Sequence, residues 1–177
     1  MKISLFYEFP LPRPWSDDDE HKLFLDGLDE VEAADKAGFS TVWLTEHHFL
    51  EEYCHSTAPE IFLSAASQRT KDIRLGFGIM HLPPAVNHPA RVAERVSTLD
   101  LLSSGRVEFG TGESSSVGEL GGFGIDPADK RTMWEEALEV SIRCMTEEPF
   151  TGFKGQHIEM PPRNVVPKPL QKPHPPV

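Results

Sequence analysis

The sequence predicts an α/β protein in which parallel strands alternate with helices. Four short apolar runs are typical of strands, and each is followed by a longer segment whose apolar residues recur at helical spacing. This order fits the βα repeats of either a closed barrel or an open doubly wound sheet. A complete barrel of eight units needs about 250 residues, and a chain of 177 residues has room for half of it. We therefore expect one domain, residues 1–177, with four βα units and an extended tail.

Composition is that of an ordinary globular protein and excludes two classes of partner. Hydrophobic residues make up 38% of the sequence and charged residues 25%. The formal net charge of −11 would repel nucleic acid and anionic membranes, so we expect neither as a partner. Cys54 and Cys144 fit no metal or redox spacing, and we find no signal peptide and no membrane-spanning run. These features predict a cytoplasmic protein with reduced thiols.

The first unit begins with a strand within residues 2–9 (KISLFYEF). The next residues are rich in proline, which fits neither a central strand nor a helix interior, so they are predicted to form a loop. Residues 17–19 are three aspartates that supply N-cap candidates for the first helix. Gly38 is expected to end that helix. Its predicted apolar stripe consists of Phe24, Leu28, Val31 and Ala34.

The second strand leads into the most informative stretch of the sequence. Residues 41–44 (TVWL) indicate a parallel strand covered on both faces. Glu46, His47 and His48 follow directly, where α/β proteins place their active sites. Because carboxylates and imidazoles are common catalytic acids and bases, we take these three residues as catalytic candidates rather than as solvated loop residues. Neighbouring side chains of an extended segment point to opposite sides, so only one histidine is expected to face the site.

The third unit follows the same plan. Thr57 and Glu60 fit a capping box at the start of the second helix. The strand within residues 73–80 (IRLGFGIM) carries two interior glycines, which mark either tight packing in a barrel or close approach by a ligand. The next helix is predicted to begin at Pro89 and to end before Gly105. Its predicted buried stripe consists of Val92, Val96, Leu99 and Leu102.

The fourth unit has a strand at residues 106–110 (RVEFG) and then a glycine-rich segment. Residues 118–124 (GELGGFG) lack the lysine and the serine or threonine of a P-loop, so we expect a mobile active-site loop and no nucleotide site of its own. A helix is predicted to begin at Asp126. Its predicted apolar face consists of Trp134, Leu138, Ile142 and Met145.

The remaining residues differ from the repeats. Proline is frequent from Pro149 onward, and no helical stripe follows. Residues 150–160 are consistent with a small hairpin that turns at Lys154-Gly155. The last stretch (VVPKPLQKPHPPV) is expected to be extended and to provide no closing element.

A metal-dependent hydrolase on a barrel scaffold is an alternative interpretation. Five of the eight histidines lie near predicted strand ends or the loops that follow them: His47, His48, His55, His81 and His88. They do not form the H-x-x-x-H spacing of a helical metal site, so no residue is assigned as a metal ligand.

Three segments, taken in order, resemble the bacterial luciferase-like family of flavin-dependent monooxygenases. They are TVWLTEHHF, IRLGFGIMHLP and NHPARVAERVSTLDLLSSGRVEFGTG, and the resemblance extends over essentially the whole chain. Each segment is weak evidence by itself, whereas their order and spacing are specific. The resemblance implies a (β/α) TIM-type barrel. It also implies that residues 1–177 are its N-terminal half, truncated before the fifth strand and the phosphate-binding loops.

The resemblance implies roles for particular residues. His47 matches the family's histidine that acts near the flavin as an acid, a base or a positioning group. Gly78-Ile79 matches the dipeptide on which the flavin ring packs, often through a cis peptide bond. Glu113 and Ser114 lie at the exit of the fourth strand, near flavin or substrate. Many relatives carry a basic residue or glycine at the position of Glu113, so this chain departs from the pattern there.

The resemblance also implies a reaction and its partners. Reduced FMN from a separate flavin reductase and O₂ would together oxygenate a small organic substrate in a dry pocket, within a homodimer or heterodimer. Apolar residues near the strand ends are candidates to line the pocket: Phe6, Trp43, Phe49, Phe77 and Met80. Since the closing half is missing, we expect residues 1–177 to be inactive alone, and a non-catalytic fragment is a further alternative.

Overall fold

The computed structural model describes residues 1–177 and contains four strand–helix units followed by a small hairpin. The strands are β1 (Ser4–Tyr7), β2 (Thr41–Leu44), β3 (Arg74–His81), β4 (Val107–Gly112), β5 (Phe153–Lys154) and β6 (Glu159–Met160). The helices are α1 (Asp19–Lys36), α2 (Pro59–Arg69), α3 (Pro89–Leu102), α4 (Val117–Gly122) and α5 (Lys130–Thr146). The predicted alternation of strands and helices is confirmed. None of the helices has the length and apolarity needed to cross a membrane.

Strands β1 to β4 form one parallel sheet in chain order. One row of paired residues crosses all four strands: Phe6, Trp43, Gly76 and Glu108. The register between β3 and β4 shifts between Phe77 and Met80. The Gly78-Ile79 peptide bond within this shift is cis, as the resemblance implied. Because the strands are parallel, their carboxyl ends lie along one edge of the sheet.

The helices cover one face of the sheet and form the core with it. Strand residues that alternate with the row above point toward the helices and are almost completely buried: Val42, Leu44, Leu75, Phe77, Val107 and Phe109. They belong to one apolar cluster with residues from the helices, including Val31, Leu63, Val92, Val96 and Val140. Removing this apolar surface from water is the main stabilising term for such a fold.

The opposite face of the sheet is only partly covered. Phe6 is 62% exposed there, and the neighbouring Trp43 is half-buried. The expectation that β2 is covered on both faces therefore holds only for the helical side. Gly76 is explained by packing, because a Cβ at this position would lie 2.3 Å from Cε3 of the Trp43 ring.

Two predicted helix ends are confirmed, and the predicted capping box is wrong. Gly38 and Gly105 follow α1 and α3 with φ of +82° and +83°, which glycine adopts readily. The N-cap of α2 is Ala58, which makes no side-chain cap. The carboxylate of Glu60 instead accepts a hydrogen bond from Arg95 of α3 at 2.7 Å. A partner on the neighbouring helix therefore replaces the local cap.

The glycine-rich segment is a short helix, α4, rather than an irregular loop. Its N-cap is Ser116, whose hydroxyl accepts the backbone N–H of Glu119 at 3.3 Å. Glycine within a helix costs about 1 kcal/mol relative to alanine, so local propensity argues against this helix. Leu120 is buried, and tertiary contacts therefore hold α4 in place.

Helix α5 begins later than predicted and buries a shifted face. Its N-cap is Asp129, because residues 126–129 form a turn in which the Asp126 side chain accepts the N–H of Ala128 at 2.9 Å. Met145 is buried as predicted, whereas Trp134, Leu138 and Ile142 are half-buried. The most buried positions are Ala137, Val140, Ser141, Cys144 and Met145. The predicted apolar stripe of α5 therefore lies beside the face that the helix actually buries.

The hairpin and the extended tail are both present. Strands β5 and β6 pair antiparallel, and Glu136 of α5 anchors their turn by accepting three backbone N–H groups from residues 156–158, at 2.6, 2.9 and 3.0 Å. The tail then returns along β4, where the N–H of Phe109 donates to the carbonyl of Pro176 at 2.8 Å. The edge of β4 is thus partly paired, which the sequence did not predict.

Candidate functional site

The carboxyl ends of β2, β3 and β4 enclose a cavity of about 260 Å³. It is lined by His47, Ile79, His81, Gly112, Glu113, Ser114, Ser115 and Lys130. The predicted site residues His47, Ile79, Glu113 and Ser114 therefore meet at one place. This edge of the sheet is where parallel α/β proteins position their chemistry.

Glu46 lies behind the cavity as a buried acceptor. Its carboxylate accepts the backbone N–H of His81 at 2.8 Å and the side-chain amide of Asn87 at 2.9 Å. Nε2 of His48 lies 3.1 Å from the same carboxylate. With both oxygens occupied and only 5% of the residue exposed, Glu46 connects the ends of β2 and β3 and does not contact the cavity.

A chain of polar contacts joins Glu46 to the outer helices. Asn87 also donates to the carbonyl of His81 at 2.8 Å and accepts from Arg95 at 2.5 Å. Arg95 in turn binds the carboxylate of Glu60 on α2. The position of the β2 exit is therefore fixed from the helical side of the molecule.

His47 and His48 both lie beside His81, but only His47 lines the cavity, which fits the expectation that one of the two faces the site. Their ring centroids are 6.1 and 5.9 Å from that of His81. The backbone turns just after the pair, where Phe49 has φ +61°.

Glu119 of α4 completes the surroundings of His47 and was not among the residues predicted from the sequence. Its carboxylate accepts the backbone N–H of His48 at 2.8 Å and the hydroxyl of Ser114 at 3.1 Å, and it lies 3.2 Å from Nδ1 of His47. Burial alone would raise the pKa of this carboxyl. The His48 N–H and the nearby imidazoles of His81 and His47 outweigh burial, and they hold the pKa below its usual range.

Aromatic contacts dock α4 onto the histidine segment. A Cβ at Gly122 would lie 2.4 Å from Cε2 of Phe49, so only glycine lets this ring approach the helix. The ring of Phe123 lies 5.0 Å from that of His48 and 5.1 Å from that of Phe49. These contacts explain why a glycine-rich segment forms a defined helix here.

His81 is a buried imidazole with a free ring nitrogen. The residue is 2% exposed, and its Nδ1 has no hydrogen-bond partner. Burial lowers the pKa of His81, since desolvation outweighs the attraction of Glu46 and Glu119 for the charged form. The side chain thus stays neutral near physiological pH and keeps one buried ring nitrogen without a partner.

The Gly78-Ile79 segment meets the exit of β4 at Gly112. A Cβ on Gly112 would lie 2.6 Å from Cδ1 of Ile79, so a glycine here lets the Ile79 side chain pack closely against β4. Ile79 is half-buried and forms an apolar wall of the cavity.

Glu113, Ser114 and Lys130 form the polar wall. Lys130 lies 3.3 Å from Oε1 of Glu113 and donates to the carbonyl of Ser114 at 2.8 Å. The second oxygen of Glu113, Oε2, is buried without a partner. Lys130 lies 16 residues beyond Ser114, on the first turn of α5, and no local pattern in the sequence indicated that it belongs to the site.

The geometry gives the hydrolase interpretation limited support. Potential metal ligands come within 4.8 Å of one another in two groups, Glu46–His48–His81 and His47–His81–Glu119. In both groups the carboxylates and one nitrogen of His47 or His48 already take part in hydrogen bonds. A metal would have to break these contacts, which makes the groups better suited to holding imidazoles than to holding an ion.

A larger cavity of about 340 Å³ lies between α1 and α2, away from the strand ends. It is lined mainly by apolar side chains such as Phe24, Leu28 and Phe62. Because His55 is its only titratable side chain, we do not assign chemistry to it. Phe77 and Met80, named as pocket candidates from the sequence, lie in the buried core instead.

Sequence comparison identifies related proteins. Residues 9–177 match the family model described as luciferase-like monooxygenase. Limonene 1,2-monooxygenase of Rhodococcus erythropolis is 40% identical over 140 residues, which are 78% of this chain and 35% of that protein.

Solved structures show the same fold. Monooxygenase RslO1 of Streptomyces bottropensis superposes with a TM-score of 0.90 and 31% identity over 99% of this chain and 52% of that chain. The oxygenating constituent of Pseudomonas putida 3,6-diketocamphane monooxygenase, in complex with FMN, has a TM-score of 0.80 at 23% identity over 90% of this chain and 43% of that chain. An F420-dependent secondary alcohol dehydrogenase has a TM-score of 0.79 at 24% identity over 97% of this chain and 50% of that chain. The chain thus spans about half or less of the proteins that it matches.

Proposed function

The chain belongs to the luciferase-like monooxygenase family. We propose that it binds the flavin ring of a flavin-dependent monooxygenase and provides the residue that exchanges a proton with substrate or flavin. The reaction uses reduced FMN and O₂, inserts one oxygen atom into a small organic substrate and releases the other as water. One observation carries this proposal. His47, Gly78-Ile79 and Glu113 meet at the carboxyl ends of three adjoining strands, beside an apolar sheet face.

The residues at this edge fit a flat ring with polar groups along one side. Phe6, Trp43 and Ile79 offer apolar surface for the ring. Two buried polar atoms without partners, Nδ1 of His81 and Oε2 of Glu113, belong to residues that line the cavity, and such atoms call for a partner. Bound reduced flavin supplies the two electrons that O₂ reduction requires. We favour FMN over F420 because the FMN-bound neighbour is a monooxygenase, whereas the F420-bound neighbour is a dehydrogenase.

Within this reaction the three predicted catalytic residues take different roles. His47 lines the cavity, and its Nε2 makes no hydrogen bond within the protein, so it is free to exchange a proton with substrate or flavin. Glu46 and His48 form a hydrogen-bonded pair behind it and position the segment. Ser114 bonds to Glu119 and holds the β4 exit in place.

The substrate is proposed to be small and apolar. Relatives are named for limonene, a diketocamphane and, at 30% identity, an alkanal, all of which are hydrophobic molecules. The exposed Phe6 and half-buried Trp43 are suited to contact such a substrate and to exclude water. A separate flavin reductase that supplies reduced FMN, a homodimeric or heterodimeric assembly and a cytoplasmic location complete the proposal.

The four-stranded sheet is proposed to be an incomplete barrel within a single luciferase-like domain. RslO1, to which the chain superposes over nearly all its length, is about twice as long. The open sheet face and the uncovered β1 edge are the surfaces that further strands would close. We therefore expect residues 1–177 alone to lack turnover and the full-length protein to carry it.

The proposal is tested with His47→Gln and His48→Gln in the full-length protein, with reduced FMN, O₂ and limonene, camphor or decanal as substrates. Glutamine cannot exchange a proton as imidazole does, so His47→Gln should lower the rate of oxygenated product formation by about 10²-fold or more. His48→Gln should lower it much less. Flavin binding, followed by fluorescence quenching, should change little in either variant.

Two results would contradict the proposal. Oxidation of reduced FMN without oxygenated product from any substrate would point to a different reaction. Product formation that survives His47→Gln but not His48→Gln would show that the roles of the two histidines are reversed.

A further inference from the structure

Glu119 is a buried carboxylate with three hydrogen-bond partners, two of which donate to it. The residue is 1% exposed, and the N–H of His48 and the hydroxyl of Ser114 donate to its two oxygens. Nδ1 of His47 lies 3.2 Å from the oxygen that also accepts from His48. The N–H of His48 can only donate, and together with the nearby imidazoles of His81 and His47 it holds the pKa of the Glu119 carboxyl below its usual range, so the group is ionised near neutral pH. Glu119 therefore acts as an ionised acceptor.

An ionised Glu119 decides where the hydrogen of His47 resides. A carboxylate has no hydrogen to donate, so Nδ1 of His47 must carry the hydrogen that joins the pair. In the neutral ring the lone pair is then on Nε2. That atom has no partner in the protein, and the ring lines the cavity. The unpaired base of His47 is thus directed at the site.

We propose that Glu119 is the positioning residue of this site and that it holds neutral His47 in the tautomer with hydrogen on Nδ1. Its effect on turnover rests on the function proposed above, whereas the tautomer itself does not. A carboxylate orienting an imidazole through Nδ1–H is a common arrangement around reactive histidines. Here the carboxylate comes from α4, a segment remote in sequence from the histidine.

The second glutamate–histidine pair has the opposite arrangement. Nε2 of His48 faces the carboxylate of Glu46, both of whose oxygens are occupied as acceptors. The hydrogen of neutral His48 is therefore on Nε2. Adjacent histidines in opposite tautomers give a signature that can be measured without any substrate.

The test is the tautomeric state of His47 in protein labelled with ¹⁵N-histidine, read from two-bond ¹H–¹⁵N spectra at about pH 8. Selective labelling limits the spectrum to the eight histidines, and His47→Gln and His48→Gln assign the two signals of interest. Wild-type protein should show the Nδ1–H form at His47 and the Nε2–H form at His48. The Nε2–H form at His47 in wild-type protein would overturn the proposal.

Two substitutions of Glu119 then separate the effect of its hydrogen-bond acceptor from the effect of its side-chain volume. Glu119→Gln keeps a carbonyl oxygen and should preserve the Nδ1–H form. Glu119→Leu removes the acceptor and should shift most His47 to the Nε2–H form, whereas His48 stays unchanged. Glu136→Leu is the matched control, because Glu136 also accepts three hydrogen bonds but lies at the hairpin turn. An unchanged His47 signal in folded Glu119→Leu would contradict the proposal.

Turnover distinguishes this inference from the function on which it rests. General acid–base catalysis contributes about 10²- to 10⁴-fold, so Glu119→Leu should lower kcat at least about tenfold, and Glu119→Gln should restore part of the loss. A tautomer shift without loss of turnover would leave the role of Glu119 standing and remove His47 from the proposed mechanism. Loss of turnover without a tautomer shift would overturn the role of Glu119.

Discussion

Three buried or half-buried imidazoles and two buried carboxylates form a single polar cluster at the strand ends. Glu46 pairs with the ring of His48, and Glu119 pairs with the ring of His47. The cluster thereby separates a ring that faces the cavity from one that faces the protein. His81, between them, keeps an unpaired nitrogen.

Only part of this cluster could be predicted from the sequence. Glu46, His47 and His48 are adjacent and follow a recognisable strand, so a local pattern revealed them. Glu119 lies in a segment dominated by glycine, where nothing local marks a buried carboxylate. Its serine and glutamate at residues 116 and 119 have the spacing of a capping box, and that signal could have indicated a helix.

The lowered pKa of His81 predicts a pH dependence of stability. A group whose folded pKa lies below its unfolded value of about 6.5 contributes stability that is present above that value and lost as pH falls toward the folded pKa. The free energy of unfolding should therefore fall between pH 7.5 and pH 5. The carboxyl of Glu119 is affected only below its unfolded pKa of about 4.3, outside this window.

Urea unfolding at both pH values measures this effect. His81→Asn should reduce the difference in unfolding free energy between the two pH values, even if the variant is less stable than wild-type protein at both. The exposed His21→Asn should keep the wild-type difference. An equal pH dependence in His81→Asn and wild-type protein would assign the loss to other groups.

At the scale of elements, the strand positions and most helix ends followed from the sequence, and the exceptions share a cause. The alternation of apolar runs located β1 to β4, and glycines marked the ends of α1 and α3. The start of α2 and the existence of α4 depend on partners distant in sequence, such as Arg95 for Glu60 and Phe49 for Gly122. Local propensity cannot report such contacts.

Docking of α4 predicts different effects for two adjacent glycines. Alanine at Gly122 would place its Cβ 2.4 Å from the Phe49 ring, whereas at Gly121 no atom lies within 4 Å. Gly121→Ala should stabilise the protein slightly, by up to about 1 kcal/mol, because alanine favours helices. Gly122→Ala should displace the helix and destabilise the protein by about 1 to 3 kcal/mol, as overpacking does.

Thermal unfolding and amide hydrogen exchange of residues 117–123 compare the two variants. Exchange should accelerate in Gly122→Ala and slow in Gly121→Ala. Similar behaviour of both variants would mean that Phe49 does not hold α4.

At the scale of the whole molecule, the sheet is asymmetric. Its helical side is a continuous core, whereas its other side leaves Phe6 62% exposed. β1 pairs only with β2, so one edge of the sheet is free to join another strand. The repeat order and chain length predicted this openness, although not the partial pairing of β4 by the tail.

The exposed face predicts concentration-dependent self-association of residues 1–177 expressed alone. Phe6→Ser should weaken association, because it removes an exposed aromatic ring from the open face. Leu102→Ser is the matched control, since Leu102 is 52% exposed on α3 and should not contribute. Light scattering over a range of concentrations measures the effect. A chain that remains monomeric, or equal effects of both substitutions, would contradict this assignment of the surface.

The polar chain from Glu60 through Arg95 and Asn87 to Glu46 bears on how such a site can be transplanted. Moving only the nine residues TVWLTEHHF into a TIM-type barrel protein would transfer the histidines without the groups that orient them. The smallest set of residues that would have to be transferred together also includes Asn87, Arg95 and α4 with Glu119. Barrel proteins that already have an asparagine amide and an arginine guanidinium behind the second strand are therefore the best hosts for this segment.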